Sequence, residues 1–197
     1  GFQIAFGHQR VSASKKLGLN TIPAIIREID DKSMRIFSIA ENINNLGLVD
    51  SEKEEAIYRL WEDVYSKLPE KSGGGHGRWA NVTTMSGDIG LDHASISQML
   101  TAYETRGLLR ANKRLSTRDM TNIASVAKVD GKTAKQLLRA REKGEIGGRE
   151  LTEVVSQIRA APATASRLDI IESVKDANKE SNQILDAATK ASKRTKV

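Results

Sequence analysis

The stretch VTTMSGDIGLDHASISQMLT, residues 82–101, decides the architecture. Starting from Val82, apolar and small side chains recur where two short helices meeting at a sharp corner must touch. Met85, Ile89, Leu91, Ile96 and Met99 supply the contacts, Ser86 is small where the helices cross, and Gly90 sits at the corner. That pattern predicts a helix-turn-helix. Glycine suits the corner because leaving a helix within so few residues usually needs a positive φ. Asp92 is placed to accept the first amides of the second helix, expected over about Asp92 to Tyr103. With Ile96, Met99 and Leu100 turned inward, His93, Ala94, Ser97, Gln98 and Thr101 face out, and Ser95 joins them in the candidate DNA-binding set. The outward set is short and polar, as a base-reading face is. Gln98 suits adenine edges, and His93 suits a base or a phosphate. The plainer alternative is a helical hairpin inside an ordinary core.

The surroundings favour the first reading. Net charge is +6 over 197 residues, and its distribution is uneven. Residues 1–72 hold ten Lys/Arg against eleven Asp/Glu, whereas residues 73–161 hold fourteen against nine. The positive excess therefore travels with the corner motif. Arg106, Arg110, Lys113, Arg114 and Arg118 follow the second helix closely, where cations can neutralise phosphates beside the groove and make binding steeply salt-dependent. Aromatic content of 4% with 39% hydrophobic residues points to helix packing by Leu, Ile and Ala. Cysteine is absent, which excludes disulfides and thiolate metal sites, and the three histidines are scattered. No apolar run approaches a membrane span and no signal-peptide pattern opens the chain, so a reducing, cytoplasmic setting is expected, with no membrane partner.

Outward from the corner motif, the chain reads as mainly α with a small α/β N-terminal part. Phe2–Phe6 and the β-branched run Thr21–Ile29 are expected strands, with a helix over Val11–Leu17 closed by Gly18. Asp30 and Asp31 open a helix through Ala40, and Asp50 or Ser51 caps another over Glu52–Leu68. PEKSGGGHG, residues 69–77, reads as a hinge. No Gly-Lys-Ser/Thr follows those glycines, so a phosphate-cradling loop is the weaker reading. Trp79 is expected to dock the hinge onto the bundle. Amphipathic segments over Thr117–Ala127, Lys132–Lys143 and Gly148–Ala160 imply a compact bundle. After the APATAS linker, Leu168–Ala188 carries one apolar stripe and needs a partner. The expected domains are therefore 1–68, a hinge at 69–78, a helix-turn-helix domain at 79–160, and a linker with C-terminal helix at 161–197.

The order GHQRVSASKKLGLNTIPAIIREIDD, then AENI, a helix, a hinge and a helix-turn-helix resembles the ParB family of DNA-partition proteins up to about residue 160. Family members carry Gly-Glu-Arg-Arg after a strand, then Gly-Leu-x-x-Ile-Pro-x-x-Ile, then Glu-Asn-x-x-Arg. Here Gly7 and Arg10 match the first motif, Gly18–Ile26 the second, and Glu41 with Asn42 the third. His8 and Gln9 stand where the family has Glu-Arg, and Asn45 where it has arginine. The resemblance implies a nucleotide-switched clamp in which Gly7, His8, Gln9, Arg10 and Asn42 meet the triphosphate of CTP and Glu41 meets Mg²⁺. A glycine turn with exposed amides, a guanidinium and oxygen ligands are sensible chemistry for that task. Structural roles, such as an Arg10–Glu41 ion pair, remain the alternative.

By the same resemblance, the partners are double-stranded DNA at an inverted-repeat, centromere-like site, a second copy of the chain, and a ParA-type Walker ATPase. Competing readings are a ParB-like transcriptional regulator, which shares every feature, and a ParB-like enzyme such as a nucleotide hydrolase, kinase or nuclease. The enzyme reading accounts only for the N-terminal part.

Overall fold

Helix is the regular structure throughout residues 2–44, 47–68, 77–161 and 164–194, which a computed structural model of the chain describes. In chain order these are α1 (His8–Lys16), α2 (Asp31–Asn44), α3 (Asp50–Leu60) running into a π-helical turn (Trp61–Tyr65), α4 (Gly77–Ile89) and α5 (His93–Leu109). Then come α6 (Thr117–Ala127), α7 (Gly131–Glu142), α8 (Gly148–Ala160) and α9 (Thr164–Arg194). The expected hinge falls largely outside the described residues, and so does the side chain of Trp79.

The expected α/β character of the N-terminal part is not found among the described residues. Neither Phe2–Phe6 nor Thr21–Ile29 enters a ladder among the described residues. A β-branched run supplies a side-chain preference, but a strand exists only when its amides and carbonyls find a neighbouring strand. Both segments instead lie exposed, with Phe2, Ile25 and Ile26 at 85%, 84% and 69% of full accessibility.

The chain groups into two compact units, Gly1–Leu100 and Thr101–Val197, and α5 contributes residues to each. In the first unit, Ile36 and Ile43 of α2, Ile57 and Leu60 of α3, Trp61 and Tyr65 of the π-helical turn, Val82, Met85 and Ile89 of α4, and Ile96 and Leu100 of α5 form one buried cluster. Tyr65 anchors it. Its hydroxyl donates to Asp88 at 2.7 Å, and its carbonyl accepts Asn81 Nδ2 at 2.8 Å. Burial and the Asp88 carboxylate both push the phenol above its ordinary range, so it stays a donor. The π-helical turn splits what the apolar spacing predicts as one helix over Glu52–Leu68. The opening of α3 also differs from expectation, since the Glu52 carboxylate accepts the Val49 amide at 3.0 Å one residue earlier.

The second unit packs α6, α7, α8 and the first part of α9 around Met120, Ile123, Leu137, Ile146, Leu151 and Ile158, all buried. Local caps set its helix starts: Ser116 Oγ accepts the Asp119 amide, and Asp130 accepts the amides of Lys132 and Thr133. Between α6 and α7, the buried Asp119 carboxylate meets Arg141 at 3.0 Å. Along α9, Ile171 is buried and Ile170 and Val174 pack beside it, while Ile184 and Leu185 stand 71% and 65% exposed.

Candidate nucleic-acid interface

The corner between α4 and α5 is built from the residues that its spacing singles out. Gly90 adopts φ 72°, where an L side chain would be strained, and its amide closes α4 on the Ser86 carbonyl at 3.0 Å. Ser86 Oγ donates to the Leu91 carbonyl at 2.6 Å, so the small residue also ties α4 to the chain entering α5. Asp92 then caps α5 by accepting the Ser95 amide at 2.8 Å, and the Ser95 hydroxyl bonds the same carboxylate. These Ser95 hydrogen bonds hold the Asp92 carboxyl below its ordinary value. Val82, Met85, Ile89, Ile96 and Leu100 are buried, and Leu91 and Met99 pack partly buried against them.

On the first two turns of α5, Ala94 and Gln98 are exposed, one turn apart on a single face. His93, Ser97 and Thr101 are half-buried, and Ser95 is engaged with the cap. The helix continues to Leu109, well past the expected end near Tyr103. Within its later turns Ala102, Thr105 and Arg106 are buried and Leu109 partly so, an i, i+3, i+4, i+7 stripe that carries an arginine.

Arg106 therefore differs from the exposed phosphate contact that its sequence position suggests. It is 8% exposed, and its guanidinium donates to the carbonyl of Asn112 and, at 3.0 Å, to that of Leu115. A charge in a stripe of small and apolar residues is tolerable when its donors are met in this way. Arg110, Lys113, Arg114 and Arg118 are exposed. Sequence reasoning overlooked Glu142, whose carboxylate accepts the Asn112 amide at 2.6 Å. The signal for Arg106 was available in its register with Ala102 and Leu109. Nothing local to the sequence around Glu142 points thirty residues back.

The candidate nucleotide residues occupy two separate places. Gly7, at φ 89°, precedes α1, and His8, Gln9 and Arg10 form its exposed first turn. Arg10 folds back over the glycine: a Cβ there would sit 3.2 Å from its Nη2. Glu41 is half-buried and Asn42 exposed near the end of α2. Among the described residues no three metal-ligating side chains gather. These positions supply a helix start, one guanidinium and one carboxylate. A shallow depression of about 300 Å³ in the first unit is lined by Asp30, Lys32, Ser33, Ile36, Phe37 and Asp88, and includes none of them.

Comparison with known proteins bears on this N-terminal segment: residues 1–43 match the family model of the ParB N-terminal domain. This part of the chain is similar to the ParB N-terminal domain. A probable chromosome-partitioning protein ParB of Xylella fastidiosa (strain Temecula1) is 36% identical over 62 residues, 32% of this chain and 20% of that protein. Stage 0 sporulation protein J of Bacillus subtilis (strain 168) is 38% identical over 60 residues, 30% of this chain and 21% of that protein. A probable plasmid-partitioning protein ParB of Xylella fastidiosa (strain 9a5c) is 39% identical over 59 residues, covering 30% and 15%. The match thus spans about a fifth or less of each of these curated relatives. No solved structure matches the chain. Among the described residues no helix is long and apolar enough to cross a membrane.

Proposed function

We propose that this chain is a sequence-specific DNA-binding protein of a ParB-type partition system, with α4, the Gly90 corner and α5 acting as a helix-turn-helix. The observation that carries the reading is one helix with two opposed faces. Ile96 and Leu100 are fully buried on one side, and Ala94 and Gln98 stand exposed on the other, immediately after a glycine corner and an aspartate cap. Seventeen residues give α5 a length of about 25 Å, ample for a helix laid into a major groove. The exposed cations Arg110, Lys113 and Arg114 supply the sequence-independent attraction.

In this reading residues 79–160 are the DNA-contacting part and residues 1–68 the ParB-like part. The ParB-family N-terminal match and the partition proteins among the relatives support an inverted-repeat site, a second copy of the chain bound across its twofold axis, and a ParA-type Walker ATPase as partner.

Selection of the full chain against a random duplex library tests the proposal. A recovered consensus is expected, and Gln98→Ala should relax base preference at one position at a cost of about 1–3 kcal/mol. Retention of no duplex at low ionic strength would sink it.

A further inference from the structure

We infer that the turn from Arg110 to Leu115 is a pre-shaped cradle for the duplex phosphate backbone, and that Arg106 and Glu142 are positioning residues that fix its form without touching phosphate. The inference rests on the DNA-binding reading above and adds to it a division of labour among the charged residues.

The turn is gripped from both sides. From inside, Arg106 donates to the carbonyls of Asn112 and Leu115, bonds that occupy its guanidinium at 8% exposure. From outside, the Glu142 carboxylate at the end of α7 accepts the Asn112 amide at 2.6 Å. Asn112 in turn receives the Arg114 amide on its Oδ1 at 2.9 Å. Both backbone polar groups and the side chain of Asn112 are thus engaged, so the path of the backbone is set before any ligand arrives. A loop ordered in advance loses less conformational freedom on binding, which favours affinity.

What the grip displays is positive. Arg110, Lys113 and Arg114 are exposed and have no ion-pair partner among the described residues. Arg110 carries a further mark. It ends α5 at φ 56°, the one described non-glycine residue with positive φ, in a place where glycine is the less costly occupant. The amide of Ala111 closes back on the Arg106 carbonyl at 3.0 Å, the bond pattern that glycine usually serves. An arginine held in this conformation with its side chain in solvent is accounted for when that side chain has a ligand. Three cations within five residues on a fixed turn suit a phosphodiester chain.

The test turns on a sign. Removing the Glu142 carboxylate makes the turn more positive, so charge alone predicts tighter binding for Glu142→Ala and Glu142→Gln alike. The glutamine keeps an acceptor for the Asn112 amide and the alanine does not. Fluorescence anisotropy of the full chain on a labelled random-sequence duplex, across a salt series, is expected to show Glu142→Ala binding severalfold more weakly than Glu142→Gln. Arg110→Gly should leave the thermal midpoint unchanged or raised, while lowering the slope of log affinity against log salt by about 0.9. Equal affinities for the two Glu142 variants, or an unchanged slope for Arg110→Gly, would overturn the cradle and leave DNA binding standing. A wild-type chain that binds no duplex at all would instead remove the proposed function, and the cradle with it.

Discussion

The first thirty residues and the α6–α8 bundle are opposites in the same chain. The former lie within the stretch that matches the ParB N-terminal domain, yet α1 buries no residue and Phe2, Leu17 and Ile25 stand 85%, 76% and 84% exposed. The bundle lies beyond the matched residues, yet Met120, Ile123, Leu137 and Leu151 are fully buried within it. Likeness to a family and burial of apolar surface are separate properties of a sequence. The motifs around Gly7 and Gly18–Ile26 are recognised by residue identity, whereas the bundle is held by volume and spacing, which many sequences satisfy.

The largest expected effect sets one region directly against the other. Leu137→Ala should destabilise the second unit by about 2–5 kcal/mol, while Ile26→Ala should stay within about 0.5 kcal/mol, both read from chemical denaturation. A comparable loss for Ile26→Ala would break the contrast. A finer version uses two glycines with nearly the same backbone, Gly90 at φ 72° and Gly18 at φ 69°. Alanine at Gly90 should cost about 1–2 kcal/mol of unfolding free energy. At Gly18 the same strain falls in a segment with no buried side chain, and the unfolding midpoint should not move. Smaller again is Asp130→Ala, which removes the acceptor for the Lys132 and Thr133 amides and should cost about 1 kcal/mol in the same measurement. The smallest effect is one of pH at Asp92. Ser95 holds its carboxyl below the ordinary value of 3.8, so the cap's contribution is present above that value and is lost as pH falls through the lower folded one. Protection of the Ser95 amide, its exchange taken relative to the intrinsic rate at each pH, should fall only in that acidic window, and Asp92→Asn should flatten the profile.

Much of the helical plan was legible because helix signals are local. The apolar register of Thr117–Ala127 and Gly148–Ala160 marks α6 and α8 to the residue. The corner was legible for the same reason: Met85, Ile89, Gly90, Asp92 and Ile96 lie within twelve residues of one another. Strands were not, since β-branched side chains at Thr21–Ile29 state a preference that only a distant partner can satisfy. The candidate interface was half legible. Exposed Gln98 and Arg110 follow from helical register, but Arg106 reads as a surface cation until the stripe through Ala102 and Leu109 is followed to the end of α5. The Glu142–Asn112 bond depends on how α7 folds back, and no local pattern encodes that.

Asn178 marks a division within α9. Its amide group donates to the Glu145 carbonyl at 2.9 Å and to Glu150 Oε2 at 2.7 Å, and the side chains from Lys179 to Asp186 are all exposed. One continuous helix thus changes regime at a single amide. Before it, opening a backbone bond requires disrupting the bundle; from Lys179 to Asp186, the bonds lie beneath exposed side chains. Deuterium labelling would find slow and fast exchange side by side in α9, and a protease would nick the fast side first.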